Sequence, residues 1–375
     1  MHIAFVLYRY FPHGGLQKDF LRTLHEAVGR GHKVTAFFAV QEGELPENDL
    51  FNIVKVPVKG WSNHAKMKSF AVNLKKFITS GNYDKVLMFS RIPGGDFYFA
   101  ADNCLASDWG KLHSKWVLKL LPRYRTFLEL ERQVFAPESP THILALTNKQ
   151  VSDYQKFYKT QPERFSVMPA GIDEACRRPE NAELVRESIR RKYNIPQDSL
   201  LLIQVAAQFG VKGVDRSIAA LADLLAGSKR DCRLLVAGGG EIEKYQKIAE
   251  SCGAGDKVIF AGACSNISEL IAAADLMIHP ARKEATGTVI VESLAVGVPV
   301  IASAACGYAD YTGKLSGQMV TPEPFKQSDL NAALQYAVNT LEEQTTKAMQ
   351  CAGNKEFYRR AGVIVDLLEQ NKSAK

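Results

Sequence analysis

Two carboxylates eight positions apart, Glu284 and Glu292, bracket Thr286-Gly287-Thr288 in a run that is otherwise small or apolar. Gly297 and Pro299 follow the run, which predicts a helix from about Gly287 to Val296 with glycine just past its end. Thr286-Gly287-Thr288 then lies at the helix N-terminus. Unsatisfied N–H groups and the helix dipole there favour a phosphate, and glycine permits close approach. Thr288 adds a hydroxyl. A carboxylate can accept two hydrogen bonds from vicinal hydroxyls such as those of a ribose, which suits Glu292 one turn further in. Glu284, ahead of the helix, would meet sugar hydroxyls at the other end of a diphosphate ligand. Each residue also has an ordinary reading. A mid-helix Glu is commonly solvated or paired with a cation, and a Gly-Thr pair is commonly only a cap. Their joint occurrence after a strand favours the ligand, because ligands gather at the carboxyl ends of α/β strands.

The elements that must hold these residues read as α/β in both halves of the chain. Ile3–Tyr8 is a strand ended by Phe11-Pro-His-Gly-Gly15, and Leu16 to Arg30 has helical spacing before a second strand at Val34–Val40. Further strands are predicted at Lys85–Phe89 and Ile143–Thr147. The pattern restarts at Leu200–Ala206, followed by a glycine loop and a helix from Val214. Strands then follow at Arg233–Ala237, Lys257–Phe260, Leu276–His279 and Val298–Ala302. Two doubly wound domains facing each other are expected, with a boundary near Met168-Pro-Ala-Gly-Ile-Asp173.

Composition agrees with this reading. The 375 residues are 46% hydrophobic and 23% charged, enough for two globular domains. The N-terminal residues lack the basic and apolar regions of a signal peptide, and no apolar run approaches the ~20 residues of a membrane span. Seven widely spaced cysteines form no Cys-x-x-Cys, so a reducing cytoplasm is expected. The net charge of +7 is uneven: residues 1–170 hold 23 Lys+Arg against 15 Asp+Glu, and the remainder 24 against 25. The first half therefore carries the basic excess and should meet an anionic partner.

Glu284-x7-Glu292 followed by Gly297-x-Pro299-Val300 resembles the donor-site signature of glycosyltransferase family 4, retaining enzymes of GT-B fold. Four other segments are similar to the family's loops: Gly210-Val-Lys-Gly-Val-Asp-Arg216, Val236-Ala-Gly-Gly-Gly-Glu241, Phe11-Pro-His-Gly-Gly-Leu-Gln-Lys-Asp19 and Met168–Asp173. The match runs over nearly the whole chain. Within the family it is most similar to members that add glucose to an inner-core heptose of lipopolysaccharide, on Tyr10–Gln17, Tyr98–Cys104, Lys212–Ser217 and Cys306-Gly-Tyr308.

The resemblance implies the GT-B fold, with a cleft between its two Rossmann-like domains. Residues 1–170 would be the acceptor- and membrane-facing domain and 171–354 the donor-binding domain. A C-terminal helix from about 355 to 375 would pack back on the first. UDP-glucose would be the donor substrate and an inner-core lipopolysaccharide the acceptor, with no cofactor. Lys212 and the Thr286–Thr288 amides would stabilise the leaving diphosphate, Glu292 would hold the ribose, and Glu284 the glucose hydroxyls. Gly14 and Gly15 would let backbone approach the donor, Gly239 would do so from the second glycine loop, Asp19 would orient acceptor or sugar, and Asp102 would lie near the sugar's 6-hydroxyl. Asp19 could equally be an ordinary first-turn helix residue, and Lys212 a surface lysine. The sequence departs from the pattern at Val211, where a basic residue is usual, so Arg177, Arg282 or Lys283 would have to neutralise some diphosphate charge. Gly238–Gly240 reads as more flexible than the usual loop. No Asp-x-Asp occurs, so no metal is expected. The alternatives are another donor or acceptor, or a sugar-nucleotide-binding membrane scaffold without turnover.

From Trp109 to Leu128 there is no acidic residue. Lys111, Lys115 and Lys119 recur at i+4 beside Leu112, Trp116 and Leu120, and Arg123 and Arg125 follow Pro122. Such a basic helix with an apolar edge could lie on an anionic membrane surface, each lysine contributing ~1 kcal/mol, or be only a solvated face. No nucleic-acid module accompanies it. The chain is expected to be a cytoplasmic monomer, peripheral on the inner face of the membrane.

Overall fold

The computed structural model describes residues 1–12, 14–43, 45, 51–228 and 230–370, the Lys115 side chain excepted. The chain forms two compact units, one of Met1–Pro169 with the segment from Arg359, the other Ala170–Tyr358.

The first unit is built on a seven-stranded parallel sheet. Its order is Phe51–Lys55, Lys33–Phe38, His2–Val6, Lys85–Met88, Phe97–Ala100, His142–Ala145, Phe165–Val167. The inner strands are near-continuous apolar runs because helices cover both faces. On one face α1 (Gly15–Gly29) packs Phe20, Leu24 and Ala27 against the sheet. The C-terminal helix Arg360–Gln370 adds Ile364, Val365 and Leu368 to the same core, all fully buried. Each contributes roughly 1.5–3 kcal/mol of burial. The other face is covered by α2 (Asn63–Ser80) and by α5 (Pro122–Phe135), through Phe70, Leu74, Val134 and Phe135.

Between them the expected basic helix is three pieces. α3 (Leu105–Leu112) ends at His113, Ser114 caps α4 (Lys115–Leu120) by accepting from the Val117 N–H, and Pro122 starts α5 at its first turn. Lys111 therefore stands on a different helix from Lys119, and the i+4 stripe is interrupted. Glu131, fully buried on α5, holds the start of α3: it accepts from the Leu105 and Ala106 N–H groups at 2.9 and 3.0 Å and pairs with Arg91 at 2.7 Å.

The second unit has a six-stranded parallel sheet in the order Val258–Gly262, Cys232–Ala237, Leu200–Val205, Leu276–His279, Val300–Ser303, Val320–Thr321. Sequence order reverses between Leu200–Val205 and Leu276–His279. That is the topological switch point, where loops after adjacent strands diverge and leave a crevice. The strands at Phe51–Lys55, Phe97–Ala100, Phe165–Val167 and Val320–Thr321 go beyond those the sequence predicts. Among the described residues no helix is long and apolar enough to cross a membrane.

Candidate active site

The loops after the two switch-point strands meet. Leu200–Val205 leads into a short helix, Phe209–Lys212, which Gly213 ends at φ +70°. A Cβ on Gly213 would collide with the Pro280 carbonyl, so glycine is required by both conformation and space. Leu276–His279 leads into Pro280–Gly287, and the Arg282 N–H donates to the Val211 carbonyl at 2.8 Å. Lys212 is thereby set opposite Glu284, and its ammonium donates to the Glu284 carboxylate. Burial pushes the Lys212 pKa below the ordinary lysine value.

Glu284 is itself held from the far side. Its backbone bridges that of Cys306, and the Tyr308 N–H donates to the Thr286 carbonyl at 2.7 Å. The Cys306-Gly-Tyr308 segment is thus a brace for the loop. The following helix spans Thr288–Val296, with Gly287 at φ +84° as N-cap and Gly297 at φ +86° as C-cap. A Cβ at 287 would press on Ile290 Cδ1 at 3.1 Å and Glu284 Cγ at 3.2 Å. Thr286–Thr288 and Glu284 therefore share one short crevice edge. Glu292 is half-buried on this helix, the one charged residue in it.

His279 escaped the sequence reading. It ends the central strand, is 1% exposed, and neither ring nitrogen has a hydrogen-bond partner. Nε2 stands 3.5 Å from Glu284 Oε2. Burial, aided by the Lys212 charge, lowers its pKa to about 3, so the ring is neutral. The available signal was a lone polar residue closing Leu-Met-Ile immediately before proline.

The second glycine loop follows Cys232–Ala237. A Cβ on Gly238, at φ +127°, would strike the Ala206 carbonyl, and one on Gly240 would lie 2.5 Å from the Phe209 ring. The loop is fixed at both ends by these contacts, which departs from the flexible segment expected. Gly239 alone faces open space. The cations proposed to compensate for Val211 have internal partners. Arg282 holds Asp215 through two bonds of 2.8 and 2.6 Å, and Arg177 pairs with Glu174 and lies 4.3 Å from the Tyr358 ring centroid.

In the first unit, Gly14 caps α1 with ordinary extended backbone and is crowded by Gln17, while Gly15 faces open space. Asp19 binds Arg22 at 2.7 Å, and Arg360 reaches its two oxygens at 3.1 and 3.2 Å. Arg360 also donates to the Pro169 carbonyl at 2.9 Å. Asp19 thus ties α1 to the start of the C-terminal helix. Asp102 is exposed, its backbone carbonyl accepting from Gln150 and Tyr154 at 3.2 Å each. Lys111, Lys119, Arg123 and Arg125 are exposed, as are Leu112, Trp116 and Leu120; the Lys115 side chain lies outside the described residues. Trp109 instead packs internally, 4.8 Å from the Tyr124 ring.

The family model for glycosyl transferases group 1 matches residues 185–354. The chain is 38% identical over 370 residues to the lipopolysaccharide glucosyltransferase WaaG of Escherichia coli (strain K12), covering 99% of this chain and 97% of that one. A crystal structure of WaaG, a glycosyltransferase involved in lipopolysaccharide biosynthesis, superposes with a TM-score of 0.84 at 36% identity, covering 98% and 99% of the two chains. Anabaena Alr3699/HepE in complex with UDP-glucose gives a TM-score of 0.73 at 16% identity over the full length of both chains, a likeness of fold.

Proposed function

The chain belongs to the group 1 glycosyl transferases, and from that premise we propose that it moves glucose from UDP-glucose to an inner-core heptose of lipopolysaccharide with retention at the anomeric carbon. The observation that carries this reading is the Lys212–Glu284 pair beside the Thr286–Thr288 helix start. A nucleoside diphosphate seated there meets helix N–H groups and one ammonium, and its sugar meets a carboxylate.

In the reaction the bond between the anomeric carbon and the β-phosphate oxygen breaks. The acceptor hydroxyl oxygen bonds to that carbon, and its proton leaves with UDP. Negative charge grows on the departing phosphate, so Lys212 and the helix amides act where the transition state needs them. These positive groups take the place of a metal ion. Lys212 must leave Glu284 to reach the phosphate. His279, with Nε2 3.5 Å from the same carboxylate oxygen, then donates to Glu284 and keeps it aimed at the glucose hydroxyls. Glu292 holds the ribose. Gly239, open above its backbone, allows close approach.

The enzyme works as a monomer on the cytoplasmic face of the membrane. Exposed Lys111, Lys119, Arg123 and Arg125 attract anionic headgroups, and Trp116 and Leu120 enter the interface.

A thermal-shift panel of UDP-, ADP- and GDP-sugars tests the donor. UDP-glucose should give the largest stabilisation; a larger response to another nucleotide would overturn it. Stabilisation without UDP release would identify a binding scaffold.

A further inference from the structure

A cavity of about 980 Å³ opens in the first unit between α2, α4 and α5. Its floor is formed by Ala71, Pro93, Ala106, Leu118, Leu128 and Leu130, with Val72 lining the mouth and Tyr158 at the edge. The Tyr158 hydroxyl is already committed, donating to Glu131 at 2.6 Å, so the floor offers a ligand carbon surface only. The rim is cationic. Lys68 and Lys75 stand on α2, Lys119 on α4 and Arg125 on α5, all exposed. Among the described residues none of these four has a carboxylate partner, whereas rim Glu129 is neutralised by Arg132 at 3.1 Å. Exposed Leu120 and Leu121 extend apolar surface beyond its α4 side.

An apolar floor with an unpaired cationic rim matches an amphiphile that carries an anionic head and a hydrocarbon tail. A soluble anion would gain nothing from the floor, and a neutral lipid nothing from the rim. We propose that this groove binds a single anionic phospholipid, with one acyl chain along Val72, Leu118 and Leu128 and the phosphate between Lys75, Lys119 and Arg125. The site goes beyond surface adhesion, because it withdraws one lipid's chain into the protein. It rests on the membrane-facing reading of this unit, yet it can be tested without a membrane.

The direct test is titration of the full-length protein with dihexanoyl phosphatidylglycerol below its micellar concentration, followed by calorimetry. Dihexanoyl phosphatidylcholine and glycerol 3-phosphate serve as the head and tail controls. Phosphatidylglycerol should bind, with both controls at least tenfold weaker. Val72→Glu, which places a carboxylate in the apolar lining at the mouth, and Lys75→Glu, on the rim, should each weaken binding at least tenfold. Equal binding by wild type and both variants, or no binding, would overturn the groove. So would tenfold tighter binding of a lipid A disaccharide, which would assign the groove to the acceptor. Sedimentation with phosphatidylglycerol vesicles at low salt separates the two ideas. Vesicle binding unchanged in Val72→Glu and Lys75→Glu, together with failed monomer titration, removes the groove and leaves the membrane surface intact. Vesicle failure alone removes the surface reading, while the titration still decides the groove.

Discussion

The Lys212 ammonium is bonded to the Glu284 carboxylate across the topological switch point of the second sheet, although the two residues are 72 positions apart. Lys212 follows one central strand and Glu284 follows its neighbour, so their meeting is a consequence of strand order. The pair stores a cation beside a crevice where a diphosphate can claim it. Lys212→Ala should lower kcat by about 10²–10³, the range for removing one group that stabilises transition-state charge. Steady-state UDP release at saturating UDP-glucose measures it. A kcat within threefold of wild type would place the ammonium outside the reaction.

His279 separates a positioning role from a structural one. His279→Leu removes the ring whose Nε2 stands 3.5 Å from Glu284 Oε2 and should lower kcat with little change in the KM for UDP-glucose. His279→Gln, which keeps an N–H, should recover part of the loss. Equal losses in both variants, with equal loss of melting temperature, would make His279 a packing residue.

The same ring predicts acid sensitivity. Its folded pKa of about 3 lies below the unfolded value of 6.5, so between those limits the unfolded chain binds the proton and the native ring does not. Stability should therefore fall as pH drops through this window, by roughly 1 kcal/mol per unit from this group. Denaturant titrations from pH 7 to pH 4 should show a steeper decline in wild type than in His279→Leu. Parallel declines would contradict a buried neutral histidine.

The glycine loop at 238–240 makes a position-specific prediction. Gly238→Ala meets the Ala206 carbonyl at a positive φ and should destabilise the second unit by more than about 1 kcal/mol. Gly239→Ala has open space and should leave stability within about 0.5 kcal/mol while weakening UDP-glucose binding. Thermal melts with and without UDP-glucose distinguish them, and the reverse order would contradict the assignment.

Buried Glu131 should be the costliest single carboxylate in the first unit. Glu131→Ala leaves Arg91 uncompensated and the α3 amides unsatisfied, a loss of about 3–5 kcal/mol. Chemical denaturation reads this directly; a loss below 1 kcal/mol would show that Arg91 finds another partner.

Much of the candidate site was legible in the sequence because glycine marks it. Gly287 and Gly297 delimit the Thr288–Val296 helix where the run of small residues suggested, with the N-terminal boundary one residue later. The Lys212–Glu284 and Asp19–Arg360 pairs were not legible, since hydrophobic periodicity identifies strands without saying which are neighbours. The unbroken basic helix failed for a local reason. Lysines at i+4 outweighed Ser114, whose hydroxyl caps a new helix and divides the stripe. Phe97–Ala100 was hidden because periodicity alone does not separate a short apolar run from a buried helix segment.

The most direct measurement is transfer of labelled glucose from UDP-glucose to heptose-terminated, glucose-free core lipopolysaccharide. The wild type should give an α-glucosylated product, and Glu284→Ala of unchanged melting temperature a rate at least 10²-fold lower. No glucosylated product with UDP-glucose while another nucleotide sugar is consumed, or full activity in Glu284→Ala, would contradict it.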